Sequence, residues 1–281
     1  MLVAVALVAL ALVAALAYWE LVVAEGVHLG PRIVARLYDL TAQRYNKIKQ
    51  FDAAYEEWFI GEPLAQALAH IPEPSVLDAA TGTGRLPLTL LRQASFHGRV
   101  IGLDSSRLML TQAAHNTHDL ADRLTLMWLE ANRLPFEDST FDAVTCMEAL
   151  EFMPDTRRAL NELVRVLRPG GLLLVTNRVG SWARWIVGHT QSRPAFEALL
   201  KSLGLASVQT QTWQVEYDLV WAIKPGHAIR LEAKPFADIL QCPRCDGLLA
   251  QVDQSVICNT CGRVSHIAPD GVIELMHCAR Q

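Results

Sequence analysis

The chain lacks an excess of positive charge. Its 281 residues carry 25 Lys and Arg against 29 Asp and Glu, a formal net charge of −4. No global basic field is therefore present to hold a nucleic acid. It also lacks any charged side chain before Glu20, and Met1 to Trp19 is almost entirely Leu, Val and Ala. A cleaved secretory signal is the rival reading of this run: Ala15-Leu16-Ala17 passes as a cleavage site, but no Lys or Arg precedes the apolar residues. Cysteine is scarce too. Of six in all, four fall in two C-x-x-C pairs near the C-terminus, a spacing that points to metal rather than disulfides.

As a helix, Met1 to Trp19 is about 28 Å long, close to the thickness of a hydrocarbon core. Residues 1–24 are expected to be a transmembrane helix with Tyr18 and Trp19 near an interface. Arg32, Arg36, Arg44, Lys47 and Lys49 follow, opposed after Glu25 only by Asp39. That flank predicts a single-pass protein whose body lies in the cytoplasm, next to anionic headgroups of the lipid bilayer. Residues 25–71 read as a helical cap. Leu37, Leu40, Tyr45, Ile48 and Phe51, then Trp58, Leu64 and Leu68, recur at near-helical spacing.

The organising stretch is Ser75-Val76-Leu77-Asp78-Ala79-Ala80-Thr81-Gly82-Thr83-Gly84-Arg85-Leu86. It reads as a buried strand, a glycine turn and a helix start. Gly82 and Gly84 let the backbone turn sharply and approach a ligand. The dinucleotide fingerprint needs a third glycine where Pro87 stands. The acid Asp78 at the strand end repels a pyrophosphate and suits a cation, such as the amino group or sulfonium of S-adenosylmethionine (SAM).

On these residues the chain resembles the class I SAM-dependent methyltransferases, and is similar to those of ubiquinone and menaquinone biosynthesis. Ala80 takes the family's first glycine position. The resemblance covers Arg36 to Lys224. It implies an α/β fold, a Rossmann-like doubly wound sheet of seven strands over residues 72–224, with SAM as cofactor. Val100 to Asp104 is the second strand, ending on an acid about 20 residues beyond the glycine turn, the spacing of ribose recognition. Ser105 and Ser106 cap the next helix, and Met109 with Leu108 is a candidate to pack on adenine. Leu124 to Leu129 is the third strand, and Glu130-Ala131…Leu134-Pro135-Phe136 follows it. The resemblance implies that Glu130, or the N–H of Ala131, reads the adenine edge. It also places Tyr38-Asp39-x-x-Ala42-x-x-Tyr45-Asn46 over the pocket, with Tyr45 facing the sulfonium.

Phe141 to Met147 is the fourth strand, with Cys146 buried and inert. No Asn-Pro-Pro-Tyr-type motif follows it, which argues against adenine amino groups as acceptor. Glu148, Glu151 and His189 are candidate general bases by position alone. Arg168-Pro169-Gly170-Gly171 should end the next helix, before a fifth strand at Leu172–Thr176. In Val179 to His189, Trp182 and Trp185 flank Arg184; an amphipathic element at a membrane or a plug in the core both fit. Ser207–Val215 and Tyr217–Ile223 are the last two strands, the final one antiparallel.

Residues 225–238 read as a linker and residues 239–281 as a zinc ribbon. Cys242, Cys245, Cys258 and Cys261 make a C-x2-C-x12-C-x2-C pattern. Four thiolates give a closed, structural Zn2+ site. About 40 residues bury too little for stability alone, and zinc supplies roughly 10–16 kcal/mol in peptide models. His277 and Cys278 are spare. His266 to Leu275 resembles the small zinc-ribbon proteins that activate tRNA, rRNA and release-factor methyltransferases. That implies a built-in stabilising or docking module and a protein contact. The expected function is methyl transfer to a membrane-associated or lipid-soluble small molecule, a quinone or lipid precursor. The alternatives are an RNA or protein methyltransferase that uses the ribbon for recognition, and a non-catalytic SAM-binding scaffold.

Overall fold

A computed structural model describes residues 1–227 and 238–276. Most of the expected linker, and His277 and Cys278, lie outside the described residues. Helix α1 (Leu2–Tyr18) continues as a π-turn over Trp19–Val23, and none of its residues is buried. Leu2–Val23 is, among the described residues, one helix long and apolar enough to cross a membrane.

The helical region before the sheet is broken rather than continuous. It comprises α2 (Pro31–Thr41), α3 (Tyr45–Ile48), α4 (Ala53–Glu56) and α5 (Glu62–Leu68). Pro31 opens α2, where its missing N–H is harmless. Gln50 turns into the left-handed region at φ +51°. Asp52 then caps α4 by accepting from the N–H groups of Ala54 and Tyr55, so apolar spacing alone did not reveal the break.

The sheet is built from β1 (Ser75–Ala79), β2 (Arg99–Asp104), β3 (Leu124–Trp128), β4 (Phe141–Cys146), β5 (Leu167–Arg178), β6 (Ala206–Gln214) and β7 (Tyr217–Ile223). Their order is β3-β2-β1-β4-β5-β7-β6. β1 to β5 run parallel, and β7 is antiparallel to both β5 and β6. Helices α6 (Arg85–Leu91), α7 (Arg107–Asn116), α8 (Thr156–Val166) and α9 (Arg193–Ser202) complete the body. Strand residues alternate between faces: Leu77, Met127 and Val144 join one apolar layer with Leu160 and Phe196. Val76, Leu126 and Ala143 join the other with Leu64 and Leu90. Arg168 to Gly171 is not a turn that precedes the fifth strand. It runs inside β5, with Phe141 opposite Leu167 before a register shift.

The C-terminal module is an antiparallel sheet of β8 (Leu249–Val252), β9 (Ser255–Cys258) and β10 (Val264–His266). Its last strand, β11 (Ile273–Glu274), leaves that sheet and pairs parallel with β3, Ile273 opposite Met127 and Glu274 opposite Trp128. The main sheet therefore has 8 strands, one more than expected. Ile239, Leu240, Leu249 and Leu275 share an apolar layer with Leu103 and Met127. Arg107, at the start of α7, pairs with Asp270 and Glu274.

Candidate functional site

In a sheet of this topology, ligands sit beyond the carboxyl ends of the strands. Asp78 lies near the end of β1, Asp104 ends β2, Glu130 follows β3 and Glu148 follows β4. The turn after β1 is held by backbone. Thr81 N–H donates to the Leu103 carbonyl at 2.9 Å. Gly82 N–H donates to Asp104 Oδ2 at 2.8 Å. Ser106 N–H donates to Asp104 Oδ1, also at 2.8 Å. Ala80 adopts φ +59° and Gly82 φ +55°, and a Cβ on Gly82 would meet open space.

These elements border a cleft of about 210 Å³, lined by Tyr45, Ala80, Gly82, Asp104, Ser105, Glu130 and Ala131. Glu148 and Phe152 line it too. A smaller space of about 50 Å³ adjoins it, sharing Tyr45, Ala80, Gly82 and Glu148, and reaching Asp78. Gly84 lines neither space. It holds φ +78° at the start of α6, where a Cβ would press on Ala113 of α7 at 3.2 Å. Met109 does not face the cleft either. It is 1% exposed and turned into the core, while its backbone N–H donates to the N-cap Ser106 Oγ at 3.2 Å.

The acids are strongly coupled to burial. Burial pushes the Asp78 carboxyl up to about 6, against the Thr145 hydroxyl that donates to it at 2.6 Å. Burial likewise pushes Asp104 up to about 6, against the N–H groups of Ser106 and Gly82. Burial also raises the Tyr45 phenol well above its ordinary value, with the nearby Glu148 charge adding to the rise.

Of the three candidate bases, only Glu148 faces the cleft. Its backbone is in the left-handed region at φ +50°, and its N–H donates to Thr176 Oγ1 at 2.6 Å. A strained non-glycine residue at a strand end is a common mark of a functional position. Glu151 is turned away, accepting from the Tyr217 hydroxyl, with Arg178 at 3.8 Å. His189 places Nδ1 at 2.9 Å from the Glu151 carbonyl and packs edge-on to His28. Both line a separate small cavity. Two residues were missed. Arg85 pairs with Glu56 and reaches Glu148 at 3.5 Å, and Phe51 lies beneath its guanidinium. An arginine directly after the Gly-Thr-Gly turn was the available signal; Glu56 carried none.

The root of α1 is fixed beside this cleft. Ala24, Val27 and Ile186 form a buried cluster against which Trp19 and Phe152 pack. Arg178 Nη2 donates to the Val23 carbonyl at 3.1 Å. Glu25 accepts from the Tyr38 hydroxyl at 2.8 Å and pairs with Lys49 at 3.3 Å.

Residues 77–175 match the methyltransferase domain family. This segment is a methyltransferase domain. The chain is 35% identical over 157 residues to the demethylmenaquinone methyltransferase of Symbiobacterium thermophilum, covering 54% of this chain and 62% of that protein. It is 39% identical over 101 residues to the 2-phytyl-1,4-naphtoquinone methyltransferase of Synechococcus elongatus, covering 35% of this chain and 43% of that protein. The chain thus spans less than two thirds of the length of these relatives. In fold it is similar to a SAM-dependent methyltransferase from Aquifex aeolicus, with TM-score 0.51 and 22% identity over 64% of this chain and 97% of that one.

Docked on the methyltransferase domain, the module gathers Cys242, Cys245, Cys258 and Cys261 so that their sulfurs lie within 4.8 Å of one another. Two pairs stand at 3.9 Å and 3.4 Å. Zn–S bonds of about 2.3 Å set tetrahedral edges near 3.8 Å, which these separations bracket.

Proposed function

We propose that the chain transfers a methyl group from SAM to a lipid-soluble, quinone-type acceptor at a membrane. One observation carries the reading: acids at successive strand ends converge on a cleft whose wall, at Phe152, is also the packing surface of the α1 root. The names of the quinone-methylating relatives support the acceptor class.

The residues present fit SAM. Asp104 keeps free lone pairs after accepting from Gly82 and Ser106, and would accept from the ribose hydroxyls. Glu130, or the N–H of Ala131, would read adenine. Asp78 would face the amino group, and the open space over Gly82 admits a close backbone approach. The Tyr45 ring offers a π-face to positive charge. When bound, SAM supplies an electrophilic methyl carbon on a cationic sulfur. The rest is alignment of the acceptor with that carbon, an effect worth up to about 7–11 kcal/mol. Glu148 is placed to take a proton from an acceptor hydroxyl. The four cysteines would hold a structural Zn2+, and α1 would anchor the domain on the cytoplasmic side.

The test uses full-length protein in proteoliposomes, methyl-labelled SAM and a whole-cell extract. Label is partitioned into organic-soluble, RNA and protein fractions. Organic-soluble label that disappears with Asp104→Ala is the expected result. Label in RNA or protein would sink the acceptor class.

A further inference from the structure

Between β5 and α9 the chain makes a short turn whose side chains sort sharply. Ala183 and Ile186 point inward, Ile186 at 0% exposure. Trp182, Trp185 and Val187 point outward, 49%, 56% and 75% exposed. Two tryptophans three residues apart, both left in water at such exposure, are unusual for a soluble surface. A 3-10 turn at Ala183–Trp185 sets this pattern, and Thr190 Oγ1 locks it by donating to the Ala183 carbonyl at 2.6 Å. Arg184 lies over the Trp185 ring at 5.6 Å.

What the turn is attached to decides what it meets. Ile186 is buried against Ala24 and Val27, at the root of α1. His189, at the end of the turn, packs on His28, which in turn stacks on Trp19. Leu29, next to His28, is also exposed. The outward tryptophans are thus bolted to the point where the apolar helix emerges. An apolar helix with Tyr18 and Trp19 at its end places that point at the headgroup level, where Trp rings are most stable.

We propose that the Trp182–Val187 turn is a second, interfacial membrane contact, inserted at the headgroup level of the phospholipid bilayer beside α1. The proposal rests on reading α1 as a membrane span. Its consequence is orientation. The packed root of α1 ties the body to the helix, and a second contact beside it fixes which face meets the lipid. Phe152 belongs both to the cleft wall and to the cluster behind the turn, so the fixed face is the one beside the cleft.

The test is quenching of tryptophan emission by phosphatidylcholine brominated near the glycerol end of its chains. Full-length protein is reconstituted into vesicles with and without the brominated lipid, and flotation is recorded on the same samples. Wild type, Trp19→Phe and the Trp182→Phe, Trp185→Phe double variant are compared. Phe preserves the packing, and matching circular dichroism checks the fold. All three proteins should float. The double variant should lose most of the quenchable emission, and Trp19→Phe a smaller share. Flotation with wild-type quenching in the double variant overturns the second contact and leaves the anchor standing. Failure of wild type to float overturns both.

Discussion

Ala80 holds φ +59°, a conformation that glycine adopts freely and alanine resists. For an L-residue that strain costs about 1–2 kcal/mol, against roughly 0.4–1 kcal/mol of extra chain entropy for glycine. Ala80→Gly should therefore stabilise the protein by about 0.5–1 kcal/mol, read as a raised thermal midpoint. A lowered midpoint would mean that the alanine methyl matters more to packing than the backbone strain. Asp104→Ala removes the acceptor for two backbone N–H groups and for the proposed ribose contact. It should weaken SAM binding by about 1.5–3 kcal/mol in a calorimetric titration. Asp78 and Asp104 both titrate near 6 in the folded chain, above their ordinary value of 3.8. A raised carboxyl favours the protonated folded state, so this contribution to stability is full below 3.8 and is lost as pH rises through about 6. The contacts proposed for SAM need the ionised form. SAM affinity should fall over the same window in which the free protein gains, and titrations at several pH values read this directly. Asp78, Gly82, Asp104 and Glu130 were legible because strand ends and turn spacing are local properties. Arg85 with Glu56, the inward turn of Met109 and the distance of His189 from the cleft depend on contacts made across the fold.

Elements show the same division. The Cys spacing announced a cluster of four cysteines, but nothing in it announced where the module sits. β11 is two residues long, too short for an alternating pattern, and its partner β3 lies far back in the chain. The module grips the segment that follows β3. Arg133 pairs with Asp246 at 2.8 Å, the Gln241 N–H donates to the Pro135 carbonyl at 2.8 Å, and Phe136 bridges to Leu240. That segment begins with Glu130 and Ala131. Cys245→Ser, or a strong chelator, should release the metal, lower the thermal midpoint and weaken SAM binding together. Metal analysis beside calorimetry checks this; unchanged SAM affinity in a metal-free protein would show that the brace is not transmitted. The broken helices before β1 are a further case, since apolar spacing at Leu37 to Leu68 persists through breaks that Gln50 and Asp52 impose.

At the scale of the molecule, the proposed cytoplasmic orientation rests on the basic flank after α1. Protease added to inverted membrane vesicles should digest the catalytic body, and protease outside intact spheroplasts should spare it; the reverse would turn the topology over. The sheet has a history as well as a shape. Until β11 arrives, β3 offers a bare row of N–H and C=O groups, the kind of edge that recruits other strands. Synthesis halted between β7 and β11 would leave a nascent product with that edge uncovered. A premature stop late in the reading frame would then yield not an inert fragment but an aggregation seed.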